Sequence, residues 1–357
     1  MRKQTVLQPE IPIISLFSGC GGFDLGFAKA GFRVELALDI NQVAVKTYNK
    51  NHGRGIAREC DLATVNPDDI VALIESNSLA APRGVIGGSP CQSFSNGNVH
   101  HKKRDVRHTL PRKYARILKV LNEEYDLDFF VFENVLGLSG KRHRKTFAKF
   151  KSLFEDAGFC LFAGKLDALH FGVAQCRPRV FLVGVNAARY KNADFIFPTG
   201  NSRSERTLKS VIEGLPEPAF FHRDLKPKDI AHHPNHWTMQ PKSKKFKNGF
   251  LKEGQNQGRS FKVLSWDKPS WTVAYGHREI HIHPSGKRRL SVFEAMRLQG
   301  LPKSYELLGT LSAQIQQVSD AVPSQVGKAL AKQIRAFLTE CDTGAMSSMK
   351  DRARIGH

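Results

Sequence analysis

The chain has 357 residues, 41% of them hydrophobic and 24% charged. That is ordinary globular usage, long enough for a sizeable core, and it excludes wholesale disorder. The formal charge of +21 is not ordinary and points to a polyanionic partner, nucleic acid before an anionic membrane.

The first 190 residues alternate β-rich and helical patterns. Strands are expected at 11–17, 34–39, 84–88, 129–133 and 179–185, with helices starting near Gly22, Asn41 and Pro67. This βαβα rhythm predicts an α/β fold, a mostly parallel sheet covered on both faces, with ligands at the carboxyl ends of the strands. From about 189 to 289 the chain is rich in Pro, His, Lys, Asn and Ser, and holds 20 Lys and Arg against 9 Asp and Glu. Helical patterns resume at 291–299 and 324–338, and the tail from 341 is polar. The expected organisation is a catalytic and cofactor-binding domain at 1–188, a loop-rich basic domain at 189–289, a return segment at 290–340 and a tail at 341–357.

The six cysteines form no Cys-x-x-Cys pair, so neither a disulfide framework nor a zinc site is expected. The N-terminus lacks the apolar region of a signal peptide, and no run is long enough for a membrane span. A soluble protein in a reducing cytoplasm is expected, with no membrane partner.

Four stretches carry candidate chemistry. Phe17-Ser18-Gly19-Cys20-Gly21-Gly22-Phe23 follows the first strand and opens a helix, but its glycine spacing fits neither a dinucleotide fingerprint nor a P-loop. Asp39, about 20 residues on, ends the second strand, where an acid can hold ribose hydroxyls. Asp61 lies near another strand end. A nucleoside cofactor without a demanding phosphate site suits this set, S-adenosylmethionine being one; a plain tight turn suits the glycines equally. Gly87-Gly88-Ser89-Pro90-Cys91-Gln92-Ser93-Phe94-Ser95 puts a cysteine after a strand, ahead of a cationic stretch at 100–119 that would favour a thiolate. Most lone cysteines are core fillers, and most charge runs are solvated faces. Glu133, in Phe132-Glu133-Asn134-Val135, could be an acid with a raised pKa or a helix cap. Arg177 and Arg179, in Gln175-Cys176-Arg177-Pro178-Arg179, sit at alternate positions entering a strand, an arrangement that also suits a surface ion-pair strand.

In this order, the four stretches resemble the cytosine-C5 DNA methyltransferases of bacterial restriction–modification systems. Two further stretches extend the resemblance. Arg288 to Pro302 is similar to the family's segment that organises its recognition domain. Asp320-Ala321-Val322-Pro323 is similar to its last motif, with Asp320 where Asn is usual. The resemblance implies a Rossmann-like S-adenosylmethionine-dependent methyltransferase fold with a smaller target-recognition domain. It implies Cys91 as nucleophile on cytosine C6, Glu133 at N3, and Arg177 and Arg179 holding the base, with Arg179 the better candidate for O2. It implies S-adenosylmethionine bound by Phe17, Ser18, Gly19, Gly21, Gly22, Phe23, Asp39, Ile40, Asp61, Pro90, Asp320, Ala321 and Val322.

Base flipping from duplex DNA accounts for the basic stretch at 95–119 and for a second domain across the duplex. Gln92, Ser95, Arg104, Arg107, Gln255, Asn256, Gln257 and Arg259 are the candidate DNA contacts, although the Gly-rich loop at 254–260 also suits a mere connection. The resemblance further implies a bacterial, nucleoid-associated protein, a monomer on DNA, with a cognate restriction endonuclease or other defence proteins encoded separately. An RNA cytosine-C5 methyltransferase, a catalytically inactive DNA-binding relative and a small-molecule methyltransferase stand as alternatives.

Overall fold

The computed structural model describes residues 9–90, 110–201, 203, 205–256, 261–272 and 281–343. In chain order these contain β1 (Ile11–Leu16), α1 (Gly22–Ala28), β2 (Phe32–Asp39), α2 (Gln42–His52), β3 (Ala57–Glu59), α3 (Pro67–Ser76), β4 (Gly84–Gly87), α4 (Leu110–Tyr125), β5 (Phe129–Val135), α5 (Arg144–Glu155), β6 (Phe159–Asp167) and β7 (Pro178–Asn186). After these come α6 (Lys209–Ile212), the short strands β8 (Ala219–Phe220), β9 (Trp237–Thr238), β10 (Lys262–Val263) and β11 (His281–Ile282), then α7 (Val292–Leu298), α8 (Leu311–Asp320) and α9 (Ser324–Asp342).

Seven strands form one sheet in the order β3-β2-β1-β4-β5-β7-β6. β1 to β5 are parallel, and β7 runs against both β5 and β6. The sheet is therefore mostly parallel, as its sequence rhythm implied, with one reversed strand. Side-chain alternation builds a core on each face. Phe130 and Phe132 of β5 join Ile14 and Leu16 of β1 under α3, α4 and α5. Phe129 and Val131 join Ile13 under α1 and α9.

Local chemistry explains the element boundaries. Asn41 caps α2, its side chain accepting from the N–H groups of Val43 and Ala44. Pro67 opens α3 with two acids in its first turn, which complement the helix dipole. Ser291 and Glu294 form a complete capping box on α7.

Several elements depart from the sequence expectations. The basic stretch at 95–119, for which no helix was expected, is helical from Leu110 on. Tyr114, Ile117, Leu118 and Leu121 recur at helical spacing and are buried, while Arg112, Arg116 and Lys119 lie on the exposed face. α5, α8 and β6 had no counterpart in the expected elements. β6 is an edge strand whose middle is half-exposed, so it lacks a continuous apolar run. Arg177 precedes β7 rather than lying on it, so the two arginines are not a same-face strand pair. Tyr190 and Phe195 pack their rings on Phe337 of α9, 5.4 and 5.9 Å between centroids. The start of the 189–289 stretch thus belongs to the core beneath the sheet.

α9 crosses α1 at closest approach through two glycines. A Cβ on Gly26 would come within 2.3 Å of the Ser324 carbonyl, and one on Gly327 within 2.7 Å of the Phe23 carbonyl. A third core joins α7 and α8 to Trp237 and Cys20, which ties the return segment to the loop after β1.

Candidate active site

The strand order reverses between β1 and β4, so a cleft opens above their carboxyl ends. The loop after β1 forms one wall. Phe17, Gly19 and Gly21 all have positive φ, at 55°, 54° and 87°. The conformation is natural for the glycines and strained for Phe17. Phe17 is held there by stacking on Tyr114, 6.4 Å between ring centroids. A side chain on Gly19 would enter open space, whereas one on Gly21 would strike His52 and one on Gly22 the Val322 carbonyl at 2.8 Å. The loop is therefore open on its cleft side and tightly packed behind.

Asp39 closes this loop onto β2. Its two carboxylate oxygens accept the N–H groups of Gly19 and Asn41, each at 2.8 Å. Burial pushes its pKa up, and these two bonds oppose the shift. Each oxygen keeps a lone pair for a further donor. Ile40, next in sequence, is 62% exposed at the cleft rim. Asp61 holds the Ala63 N–H with one oxygen in the turn after β3. Ser18 Oγ is buried with no partner among the described residues. An orphaned hydroxyl, an acid with spare lone pairs and an exposed aliphatic side chain suit a polar, nucleoside-bearing ligand.

Behind the loop lies a polar network whose partners are far apart in sequence. Tyr48 donates to Asp24 at 2.8 Å, and Tyr305 donates to the Cys20 carbonyl. His52 stacks on Tyr48 and meets the Tyr305 hydroxyl at 3.0 Å. Burial holds the His52 pKa down to about 4, so its ring is neutral at physiological pH. The Cys20 thiol, pushed up to about 12 by burial, is not a nucleophile.

The opposite wall is built by β4, β5 and β7. A Cβ on Gly87 would come within 1.9 Å of the Leu16 carbonyl, and one on Gly88 within 2.6 Å of Glu133 Oε2. These glycines let the segment leading to residue 91 pass between β1 and Glu133. The buried Asn134 amide donates to the Ser89 carbonyl at 3.2 Å and anchors that segment. Pro90 is exposed.

Glu133 lies opposite Phe181 in the β5–β7 ladder, so Arg179 is its diagonal neighbour on the same face. Arg179 Nε stands 3.1 Å from Glu133 Oε1. Burial raises the Glu133 pKa, and the Arg179 and Arg177 charges pull it back. The side chain of Arg177 is buried and donates to the Ser319 carbonyl at 2.8 Å, reaching the end of α8. Asp320 follows Ser319. It is exposed at the rim, its carboxyl accepts the Gln316 amide at 2.7 Å, and loss of water in the cleft raises its pKa.

The structure thus gathers Ser18, Gly19, Gly22, Asp39, Glu133, Arg177, Arg179, Asp320 and Val322 around the carboxyl edge of one sheet. Phe23 turns away into the core beside Phe27 and Phe181, 5.0 and 6.1 Å between centroids. Its side chain supports the loop rather than lining the cleft. Cys91, Gln92, Ser95, Arg104, Arg107, Gln257 and Arg259 lie outside the described residues. Gln255 and Asn256 are exposed, on a segment whose backbone pairs with Lys262 and Val263. Asp24, Asn134, Gln299 and Tyr305 were not singled out by sequence. Asn134 had a signal in its place beside Glu133, and Gln299 in lying within the 288–302 stretch.

A further basic surface lies past β5. Lys141, Arg142, Arg144, Lys145 and Lys149 are exposed, and no ion pair among the described residues involves them. In the basic stretch beyond β9, Lys245 and Arg289 sit over the Phe261 ring, at 4.9 and 5.5 Å from its centroid. No helix among the described residues is long and apolar enough to cross a membrane.

The family profile described as C-5 cytosine-specific DNA methylase matches residues 11–336. The Type II methyltransferase M.FnuDI of Fusobacterium nucleatum is 31% identical over 92% of this chain and 95% of its own length. M.MthTI of Methanothermobacter thermautotrophicus is also 31% identical, over 92% of this chain and 98% of its own. Among solved structures, a prophage-encoded DNA modification methyltransferase of Escherichia coli superposes with a TM-score of 0.74 at 23% identity, covering 93% of this chain and all of its own.

Proposed function

The chain belongs to the C-5 cytosine-specific DNA methylase family, and we propose that, as a DNA cytosine methyltransferase, it uses S-adenosylmethionine to methylate C5 of a cytosine flipped from duplex DNA. The observation that carries the mechanism is the pairing of Glu133 with Arg179 at one wall of a cleft whose other wall is the Asp39-clamped glycine loop. The segment that continues to Cys91 runs between them.

The cofactor, when bound, supplies an electrophilic methyl group. The residues around the glycine loop fit it. The remaining lone pairs of Asp39 take the ribose hydroxyls, Ile40 covers the adenine and Asp61 accepts from its amine. Phe17, Ser18, Gly19, Gly21 and Gly22 shape the cradle, with Phe23 behind it. Pro90, Asp320, Ala321 and Val322 close the side toward the base.

Cytosine C5 is too weakly nucleophilic to take a methyl group unaided. The Cys91 thiolate adds to C6, and the displaced electron pair reaches C5 as Glu133 delivers its proton to N3. A raised Glu133 pKa, caused by burial, keeps that proton available. Arg179 orients the carboxyl through Nε, and its Nη2, which makes no hydrogen bond among the described residues, is the donor for O2. After methyl transfer, solvent water takes the C5 proton, its bonding pair re-forms the C5–C6 double bond and expels Cys91 as a thiolate, and Glu133 takes back the N3 proton. Flipping costs a few kcal/mol, and the basic surfaces past β5 and beyond β9 hold the duplex meanwhile. Gln92, Ser95, Arg104, Arg107, Gln255, Asn256, Gln257 and Arg259 are assigned to that DNA, with the 189–289 stretch beyond its core-packed start as the reader and the cofactor domain on either side of it in sequence. The setting proposed is protection of bacterial DNA, with a separately encoded endonuclease.

Bisulfite sequencing of DNA from expressing cells tests the reading. Cytosines protected in one short sequence context are expected. Unprotected DNA together with methylated RNA would transfer the proposal to an RNA substrate. With DNA containing 5-fluorocytosine, a covalent adduct is expected from the wild type and none from Cys91→Ser.

A further inference from the structure

Two fully buried glutamines connect the base side of the cleft to its cofactor side. Gln175 Nε2 donates to Gln299 Oε1 at 2.7 Å, and Gln299 Nε2 donates to the Ala321 carbonyl. The direction of this chain is set at one end. A carbonyl only accepts, so the Gln299 amide must turn its NH2 to Ala321 and its oxygen to Gln175. No aliphatic residue, and no carboxylate, can fill both roles.

What the chain joins gives it consequence. Gln175 stands two residues before Arg177, on a segment gripped from its other side by the basic stretch. Cys176 N–H donates to the Ser270 carbonyl at 2.8 Å, Ser270 N–H to the Ala174 carbonyl at 2.9 Å, and Thr272 Oγ1 to the Cys176 carbonyl at 2.7 Å. At the far end, Ala321 precedes Val322, whose carbonyl packs against Gly22 of the glycine loop. Gln299 itself ends α7, and the next residue, Gly300, accepts the Gln325 amide at 2.9 Å.

We propose that Gln299 is a positioning residue that, through Gln175, couples the base-holding segment to the cofactor wall. The inference rests on the cofactor assignment above, and its test reads cofactor binding rather than methylation. The affinity for S-adenosylhomocysteine is measured by calorimetry for the wild type, Gln299→Met, Gln299→Glu, Gln175→Met and the double Met variant, with thermal unfolding of each. Gln299→Met is expected to weaken binding about 10-fold, the size of one buried amide hydrogen bond left unmade. Gln299→Glu keeps the volume and the acceptor but sets a buried carboxylate oxygen against the Ala321 carbonyl, and should weaken binding at least as much.

Gln175→Met should also weaken binding, though its side chain reaches the cofactor wall through Gln299, and the double variant should be no worse than Gln299→Met alone. Unchanged cofactor affinity in Gln175→Met, with a lowered unfolding temperature, would reduce the pair to core packing and overturn the proposal. Additive losses would do the same. A wild type that binds S-adenosylhomocysteine but methylates no DNA would instead count against the functional reading and leave the coupling intact.

Discussion

Asp24→Asn probes the cost of the polar network beneath the glycine loop. Asp24 is the third residue of α1, 1% exposed, and its carboxyl accepts from Tyr48 at 2.8 Å. No ion pair among the described residues involves it. Burial raises its pKa from 3.8 to about 6, against the bonds it accepts. That difference is about 3 kcal/mol by linkage, larger than the ~0.3–1 kcal/mol by which a helix N-terminus favours a charge.

The sign follows from proton binding. Below pH 3.8 both the folded and unfolded chains hold the proton, and the contribution is fully present. As pH rises toward about 6 the unfolded chain ionises first, so stability falls. Asn never ionises, and its amide oxygen still accepts from Tyr48. Urea unfolding followed by tryptophan fluorescence from pH 4 to pH 8 should therefore show only a small difference, about 0.5 kcal/mol, at the acid end. At pH 8 the variant should be more stable by up to about 3 kcal/mol. Stability curves that run parallel, or a variant weaker than wild type at pH 8, would show that the Tyr48 bond outweighs desolvation and refute the reasoning.

Glu133→Gln keeps a partner for Arg179 but cannot release a proton to N3, so methyl transfer from a tritiated donor should slow by about 100-fold or more. DNA affinity in a filter-binding assay should stay within a few-fold. Asp320→Asn should leave cofactor affinity equal or better in a calorimetric titration, because the amide oxygen still accepts from Gln316 and no charge is left to be desolvated there. Gly26→Ala places a methyl group 2.3 Å from the Ser324 carbonyl and must push α1 from α9. A loss of about 1–3 kcal/mol in denaturant unfolding is expected, and an unchanged midpoint would mean that this helix contact yields easily.

Local signals were readable wherever one segment satisfies itself. Asn41 before an amphipathic run makes its own cap, and Pro67 followed by two acids makes its own helix start. α4 was obscured for a physical reason. Its exposed cations continue a basic run, and the buried Leu110, Tyr114, Ile117, Leu118 and Leu121 stand out only when every third or fourth position is compared. β6 is an edge strand with a half-exposed middle, and α8 packs on Trp237 and Cys20 far away in sequence, so their own residues signal little.

By itself the sequence determined the chemical inventory: a glycine loop, acids after strands, two arginines beside a proline, and an excess of positive charge. It determined most strand positions of the large sheet too, because strands buried on both faces read as short continuous apolar runs. What only the tertiary structure decided is which of these groups meet. Arg179 enters at the start of its strand, the wrong end for a parallel sheet, and reaches Glu133 because β7 is reversed. Gln175 and Gln299 lie 124 residues apart, and their bond to each other and to Ala321 has no local trace. Strand direction and long-range hydrogen bonding are settled by the packing of the whole sheet and its helices, since buried polar groups take whichever partner the fold brings within reach.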